Sequence, residues 1–328
     1  MLPRTVKVTS WQPDRHLSAT ETADGQLNRI RDWPNARSTL IIVFNPVAGR
    51  RRTNLLGPVL DVLVANGVRI DLAETHGPGH ARALAREAVC AGASMVVAAG
   101  GDGTIAEVAD GLWGSPARLG VIPLGTANVL AHELALPFAP RAVAAALAFG
   151  RTRSLWPGLA CGAAGSRLFV QMLGVGFDAH VVHHLSAPLK RTLGRGAYVL
   201  QALREVMRYR FMPIRLRLDG EETQACSVIV CKGRLYGGRF LLASEACAER
   251  PGFSVVLFDR AGPCAALLYG AALPLDLLGR APGVRHVRAM RIDFIGNEAV
   301  PAQADGDAAG CTPLCVTDAP ASILVVVG

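Results

Sequence analysis

Gly100-Gly101-Asp102-Gly103-Thr104 decides the reading of this chain. It follows the apolar run Ser94-Met95-Val96-Val97-Ala98-Ala99, which reads as a buried strand. It leads into Thr104–Asp110, which reads as a helix. Glycines at a strand-to-helix turn let backbone N–H groups approach a bound group, and the helix start favours an anion there. A carboxylate inside such a loop would repel phosphate by itself. It makes sense where a divalent cation lies between the two, so the loop points to a metal–nucleotide site. A tight β–α turn with a capping Asp or Thr is the plainer alternative.

The same pattern repeats on both sides of the loop. Leu40–Phe44, Val68–Leu72, Met95–Ala99 and Leu119–Ile122 read as strands. Between and after them Leu55–Ala65, His80–Ala91, Ile105–Leu112, Ala127–Leu136 and Pro140–Phe149 read as helices. This alternation predicts a parallel sheet wrapped by helices, an α/β nucleotide-binding domain. Ligands of such sheets bind at the carboxyl ends of the strands. Asn45–Arg50, Thr75–His80, Gly100–Thr104 and Pro123–Asn128 all fall at such ends.

Beyond about Arg153 short strand-like runs follow one another between Gly-rich turns: Leu168–Leu173, Ile214–Leu218, Cys226–Cys231, Phe253–Phe258 and Val287–Phe294. They predict an antiparallel, sandwich-like, β-rich second domain. The expected division is a polar arm over 1–37, an α/β domain over 38–152 plus 319–328, and a β-rich domain over 153–318. A helical segment near Leu193–Tyr209 interrupts the strands. It and its flanks carry Arg191, Arg195, Arg204, Arg208 and Arg210 around Val199, Ala202, Leu203, Val206 and Met207. An ordinary surface helix and a membrane-facing one both fit.

The formal net charge is +8. Of the 34 basic residues only Lys7, Lys190 and Lys232 are lysine. A basic excess fits an anionic partner, and codon bias accounts for it equally well. No apolar run reaches the length of a membrane span: Ala265–Leu273 is short and broken by Pro274. No basic-then-apolar leader opens the sequence. A cytoplasmic protein is expected. The eight cysteines show no Cys-x-x-Cys spacing and the histidines no metal spacing.

With these blocks in place, the chain resembles the diacylglycerol kinase catalytic-domain family, soluble bacterial lipid kinases related to sphingosine and ceramide kinases. The resemblance rests on Asn45-Pro46-Val47-Ala48-Gly49, on Gly100–Thr104 and on Pro123-Leu124-Gly125-Thr126-Ala127-Asn128. Gly174-Val175-Gly176-Phe177-Asp178-Ala179 and Ala304-Asp305-Gly306-Asp307 extend it. It implies an ATP-dependent kinase that uses Mg²⁺ and phosphorylates a lipid hydroxyl, with an active site in the cleft between an ATP-binding and a lipid-binding domain. Ile323–Val327 would return to the first domain. ATP contacts carry over to Asn45, Pro46, Val47, Ala48, Gly49, Thr75, Gly100, Gly101, Asp102, Gly103, Thr104, Ile105, Ala106, Glu107, Gly125 and Thr126. Asp102 would position the metal or the γ-phosphate, and Arg50 could reach phosphate. No Gly-Lys pair exists, so a P-loop is excluded and glycine-turn amides must serve instead.

The family's general base is the Glu of Asp-Gly-Glu. Asp307 stands there in this chain, one methylene shorter, with Asp305 as the other acid of the turn. The family's Asp-Gly pair that holds a structural Mg²⁺ in the second domain is replaced by Arg250-Pro251-Gly252-Phe253. Asn128-Val129 stands where many members have Asn-Asp. The partners expected are a lipid substrate and an anionic membrane, touched peripherally, and not nucleic acid; a homodimer is left open. An NAD kinase-like small-molecule kinase and a catalytically weak lipid-binding protein on the same scaffold are the competing readings.

Overall fold

The computed structural model describes residues 7–9, 39–48, 53–163, 165–186, 195–296 and 298–328. Most of the polar arm, together with Gly49, Arg50, Lys190 and Arg191, lies outside them. One compact unit comprises Met1–Gly125, Ala135–Arg153 and Ile323–Gly328, and the other Thr126–Leu134 and Ser154–Ser322.

In the first unit the chain runs β1 (Lys7–Thr9), β2 (Thr39–Phe44), α1 (Thr53–Ala65), β3 (Arg69–Glu74), α2 (His80–Cys90), β4 (Met95–Gly100), α3 (Asp102–Leu112) and β5 (Arg118–Pro123). After α4 (Val129–Glu133), which belongs to the other unit, come α5 (Pro140–Phe149) and β6 (Arg151–Leu155). The last strand of the chain, β21 (Ile323–Val327), pairs parallel to β5. The sheet order is β1-β3-β2-β4-β5-β21-β6. Strand β2 pairs parallel with β3 on one side and with β4 on the other. The order therefore turns back at β2, and in open parallel sheets the ligand crevice opens at that point. Continuous apolar runs such as Leu40–Val43 and Val96–Ala99 are buried, as strands covered on both faces must be. Leu56, Val59, Leu60 and Leu63 of α1 and Val143 and Leu147 of α5 pack on Ile42, Leu72, Val97 and Ile122 of the sheet.

Helices α2 and α3 approach closely because α3 carries Gly111 at the contact. A Cβ there would lie 2.6 Å from the Ala85 Cβ and 2.7 Å from the Arg82 carbonyl oxygen. Arg82 of α2 also reaches Asp110 of α3 at 3.1 Å.

The second unit is a sandwich of two six-stranded sheets. One has the order β11-β10-β17-β20-β7-β8, with β7 (Gly158–Gly162), β8 (Gly165–Phe169), β10 (Ile214–Leu218), β11 (Glu221–Ala225), β17 (Arg291–Phe294) and β20 (Leu314–Asp318). The other is β16-β15-β12-β9-β18-β19, with β9 (Met172–Val175), β12 (Ser227–Cys231), β15 (Phe253–Phe258), β16 (Val284–Ala289), β18 (Pro301–Ala304) and β19 (Asp307–Cys311). A short hairpin joins β13 (Leu235–Tyr236) to β14 (Phe240–Leu241). Inward positions alternate, as in β10, where Ile214, Leu216 and Leu218 are buried and Arg215 and Arg217 are exposed. Phe169, Val175, Val228, Val255, Ile292 and Val316 belong to the common core. Among the described residues, α6 (Phe177–His184), α7 (Arg195–Glu205) and α8 (Pro263–Ala272) belong to this unit together with α4.

The stretch Thr126–Leu134, which the sequence reading assigns to the nucleotide domain, clusters with the sandwich. The Glu133 carboxylate is one reason: it accepts the N–H groups of Arg234 and Leu235 and the Arg234 guanidinium. Among the described residues no helix is long and apolar enough to cross a membrane.

Gly111→Ala tests the α2–α3 contact. Alanine favours a helix over glycine by roughly 1 kcal/mol, yet overpacking against a backbone carbonyl costs about 1–3 kcal/mol. A net loss of stability is expected in urea unfolding; a more stable variant would show that the two helices are not held this closely.

Candidate active site

The loops at the carboxyl edge of the first sheet are tied to one another. The Asn45 N–H donates to Ala99 O at 3.0 Å, and the Thr75 N–H to Phe44 O at 2.8 Å. Leu124 and Gly125 both donate to Gly100 O, at 2.9 and 3.2 Å. Asn45 bends its own loop by accepting the Val47 N–H on Oδ1, and its Nδ2 donates to the Thr104 hydroxyl at 3.0 Å. The loops after β2 and β4 are thereby locked together beside the start of α3.

Space explains the glycines. A Cβ on Gly100 would lie 2.5 Å from the Thr104 side chain, and one on Gly101 would lie 3.2 Å from the Gly125 Cα. Gly101 precedes α3 with φ −93° and ψ −174°, and Asp102 occupies the first helical turn. The N–H groups of a helix's first turn have no partner within the helix and point out of its end. The edge therefore offers amide donors, a positive dipole end and one carboxylate. Asn45, Pro46, Val47, Ala48, Gly100, Gly101, Asp102, Gly103, Thr104 and Gly125 lie along it. Thr75 is buried at its flank.

Four of the residues expected to meet ATP have other surroundings. Ile105 and Ala106 send their side chains into the core. The Glu107 carboxylate accepts the N–H groups of Gly79 and Ala81 at 2.7 and 3.1 Å. It caps α2, whose preceding Gly79 supplies no side chain for the task. Thr126 is exposed and belongs to the second unit.

In the second unit, Asp305-Gly306 forms a two-residue hairpin turn between β18 and β19. Both residues have positive φ, 51° and 86°, and Ala304 pairs with Asp307 across the turn. Asp-Gly suits the turn type that needs two such residues. The Asp305 carboxylate accepts the N–H groups of Val170, Gln171 and Met172 at 2.7, 2.8 and 3.0 Å. Both oxygens are committed to backbone where β8 passes into β9. Asp305, the alternative base of the sequence reading, is thus the anchor of the turn. Asp307 stands at the start of β19, with its side chain 43% exposed and 3.7 Å from the Arg167 guanidinium.

A buried chain of hydrogen bonds supports the turn. The Gly306 N–H donates to Gln303 Oε1 at 2.8 Å, which leaves Gln303 Nε2 to donate to Asp178 Oδ2 at 2.8 Å. The Tyr236 hydroxyl donates to Asp178 Oδ1. Because the chain starts at a backbone N–H, its direction is fixed and Asp178 must accept at both oxygens. Burial raises the Asp178 carboxyl above its ordinary range, and the bonds from Tyr236 and Gln303 oppose that shift. Burial likewise pushes the Tyr236 phenol well up. No short motif signals the roles of Gln303 and Tyr236, because their partners lie far away in sequence.

The first edge offers amide donors of the kind that bind phosphate oxygens. Among the described residues no group of three or more His, Cys, Asp or Glu could hold a metal ion. One carboxylate, Asp102, suits a Mg²⁺ that keeps several waters and is bound largely through phosphate oxygens.

Comparison with known proteins agrees with this geometry. Residues 39–158 match the diacylglycerol kinase catalytic domain, and residues 171–327 match the YegS C-terminal NAD kinase beta sandwich-like domain. A Pseudomonas putida protein named "Probable lipid kinase YegS-like" is 34% identical over 185 residues, 55% of this chain and 61% of that protein. A namesake from Chromohalobacter salexigens is 41% identical over 42% of this chain and 45% of its own length. The matched stretches thus span about half of these curated relatives. A diacylglycerol kinase of Staphylococcus carnosus is 25% identical over 83% of this chain and 89% of its own. A solved structure from Bacillus anthracis superposes with TM-score 0.73 at 19% identity, covering 89% of this chain and 95% of that one. The chain thus resembles the diacylglycerol kinase catalytic domain over residues 39–158 and the YegS C-terminal NAD kinase beta sandwich-like domain over residues 171–327.

Proposed function

We propose that the protein is an ATP-dependent lipid kinase that phosphorylates the hydroxyl of diacylglycerol or a related lipid. The observation that carries the reading is the locked edge around the start of α3, where amide donors and the Asp102 carboxylate stand together. Phosphoryl transfer needs little covalent help from a protein. It needs phosphate held in place and its developing charge balanced. The first-turn amides of α3 and the turns at Gly100 and Gly125 would bind phosphate oxygens without a lysine. Bound Mg²⁺ would supply charge neutralisation, and Asp102 is the carboxylate that would hold it.

On the acceptor side, Asp307 would take the hydroxyl proton as the new O–P bond forms and the bond to the leaving ADP oxygen breaks. Asp305, clamped by three N–H groups, fixes the turn from which Asp307 projects. The Tyr198 hydroxyl of α7 lies 3.5 Å from where a Gly306 Cβ would sit, so α7 borders this turn.

Helix α7 would also meet the membrane. Its inner face buries Ala197, Gln201 and Glu205. Val199 and Leu203 on the helix and Met207 just beyond it are 62%, 54% and 74% exposed, and Arg204 and Arg208 flank them. An apolar stripe with basic flanks suits a peripheral contact with an anionic bilayer, from which a cytoplasmic enzyme would take its lipid.

Asp102→Asn is expected to lower transfer from labelled ATP by about 100-fold or more, with unchanged thermal unfolding. Near-normal turnover would make the loop structural. A panel of diacylglycerol, sphingoid bases, ceramide and NAD as acceptors identifies the substrate, and phosphorylation of NAD alone would favour the small-molecule reading. Asp307→Ala should lower kcat by roughly 100-fold to 10,000-fold with little effect on ATP affinity. Asp307→Glu, which restores the family's residue, should keep or raise activity. Asp305→Ala is expected to lose stability as well as activity, because three amides lose their acceptor; a stable Asp305→Ala with the larger kcat defect would move the base to Asp305. In vesicle sedimentation, binding should require anionic lipid and weaken with salt, since each basic group near such a surface contributes about 1 kcal/mol. Equal, salt-independent partition into neutral and anionic vesicles would refute the membrane contact.

A further inference from the structure

Lys232, one of three lysines in the chain, has a side chain with no exposure to solvent. It directly follows β12, and its own N–H donates to Gln171 O at 2.8 Å. Its ammonium donates to the Arg250 and Gly252 carbonyl oxygens, both at 3.0 Å, and to Asp318 Oδ1 at 2.7 Å. The other Asp318 oxygen accepts the Gly252 N–H. The Phe253 ring centroid lies 4.8 Å from the ammonium. Three N–H bonds meet three oxygens, so every proton of the ammonium is used. An arginine could not do this, since its planar fork needs a different arrangement of acceptors.

The donor set is that of a hard cation. Two backbone carbonyls and a carboxylate are the oxygens from which Ca²⁺ and Mg²⁺ sites are built. They surround the turn Arg250-Pro251-Gly252, where the family resemblance implies an accessory Mg²⁺ held by an Asp-Gly pair. In this chain the turn has no carboxylate of its own and its carbonyls face a lysine. A divalent ion does not fit beside a buried ammonium, because the two charges would repel at close range in a medium of low dielectric.

We propose that the Lys232 ammonium is the resident cation of the 250–252 turn and makes the second unit independent of any accessory divalent ion. The side chain carries the positive charge that joins the turn to Asp318 at the end of β20. Burial draws the Lys232 ammonium below the ordinary lysine range, and the Asp318 carboxylate opposes that shift. A covalently attached cation is present at every metal concentration, so folding carries no metal dependence at this place.

Thermal unfolding without nucleotide tests the inference. The wild type should unfold at the same temperature in excess EDTA and in millimolar MgCl2 or CaCl2. A wild type destabilised by EDTA and restored by either ion would overturn the proposal. Lys232→Ala leaves two carbonyls and a carboxylate around a void, and its Tm should fall on the order of 10 °C. MgCl2, CaCl2 or ethylammonium should recover part of that loss, and NaCl of equal ionic strength should not. An Ala variant that responds to no cation, or to all salts alike, would show that the oxygens do not form a cation site. Lys232→Met, which fills the volume without charge, should lose stability and recover with none of these ions; its recovery by MgCl2 would place the ion elsewhere. If neither variant folds, the wild-type comparison decides the question.

Discussion

Backbone N–H groups that leave a helix or sheet ladder must find an acceptor, and in this protein carboxylates supply it at several turns. Glu107 takes two at the start of α2, Asp305 three between β8 and β9, and Glu133 two before the β13–β14 hairpin. Asp219 takes those of Met290 and Arg291, and Asp318 that of Gly252. A buried amide without a partner costs about 1–3 kcal/mol, so each of these acids fixes a loop as well as stabilising it. Several acids of the chain are thereby spent on backbone. Asp102 stands at a helix start, and Asp307 beside the half-buried Arg167.

Much of the first unit was legible in the residues. Its strands are continuous apolar runs and its helices have one apolar face, so period and length identify both. Strand β2 extends one residue beyond the expected start, and α3 extends three because Asp102 and Gly103 join its first turn. The second unit was less legible. Strands β10, β12 and β15 were found where expected, Leu168–Leu173 and Val287–Phe294 each ran two strands together, and β7, β11, β13, β14, β18, β19 and β20 were missed, as were β1 and β6 of the first unit. Arg151-Thr152-Arg153 of β6 and Glu221–Gln224 of β11 are largely exposed and carry no alternating apolar signal. Helix α6 was read only as a motif, since Phe177–His184 has too few turns to show a period.

The site divides in the same way. That Gly100, Gly101, Asp102 and Asn45 stand together is readable in the sequence because the pattern is local: a glycine turn, a helix start and an adjacent loop. Roles set by partners more than 100 residues away are hidden. Asp305 and Asp307 look equivalent as letters, and the three amides from 170–172 single out Asp305 as the anchor of the turn. Glu107 sits inside the signature block, yet its carboxylate serves α2. Part of the block therefore holds the crevice in shape while the remainder faces it.

The scarcity of lysine connects these observations. A phosphate site with no Gly-Lys pair has to obtain positive potential from amides at a helix start, which carry about half an elementary charge in total. The Asp102 carboxylate in that same turn carries a whole negative charge and more than offsets it. Such an edge by itself has no net positive charge. A highly charged triphosphate would be drawn there only together with a divalent cation, whose charge adds to the amides and whose affinity Asp102 raises. The dependence on metal would then be strong at the reaction centre. At the 250–252 turn the chain carries its own ammonium, fully enclosed and bonded to three oxygens. One cation would be exchangeable and travel with the nucleotide, and the other is fixed to the backbone, so metal supply can limit phosphoryl transfer without limiting the fold.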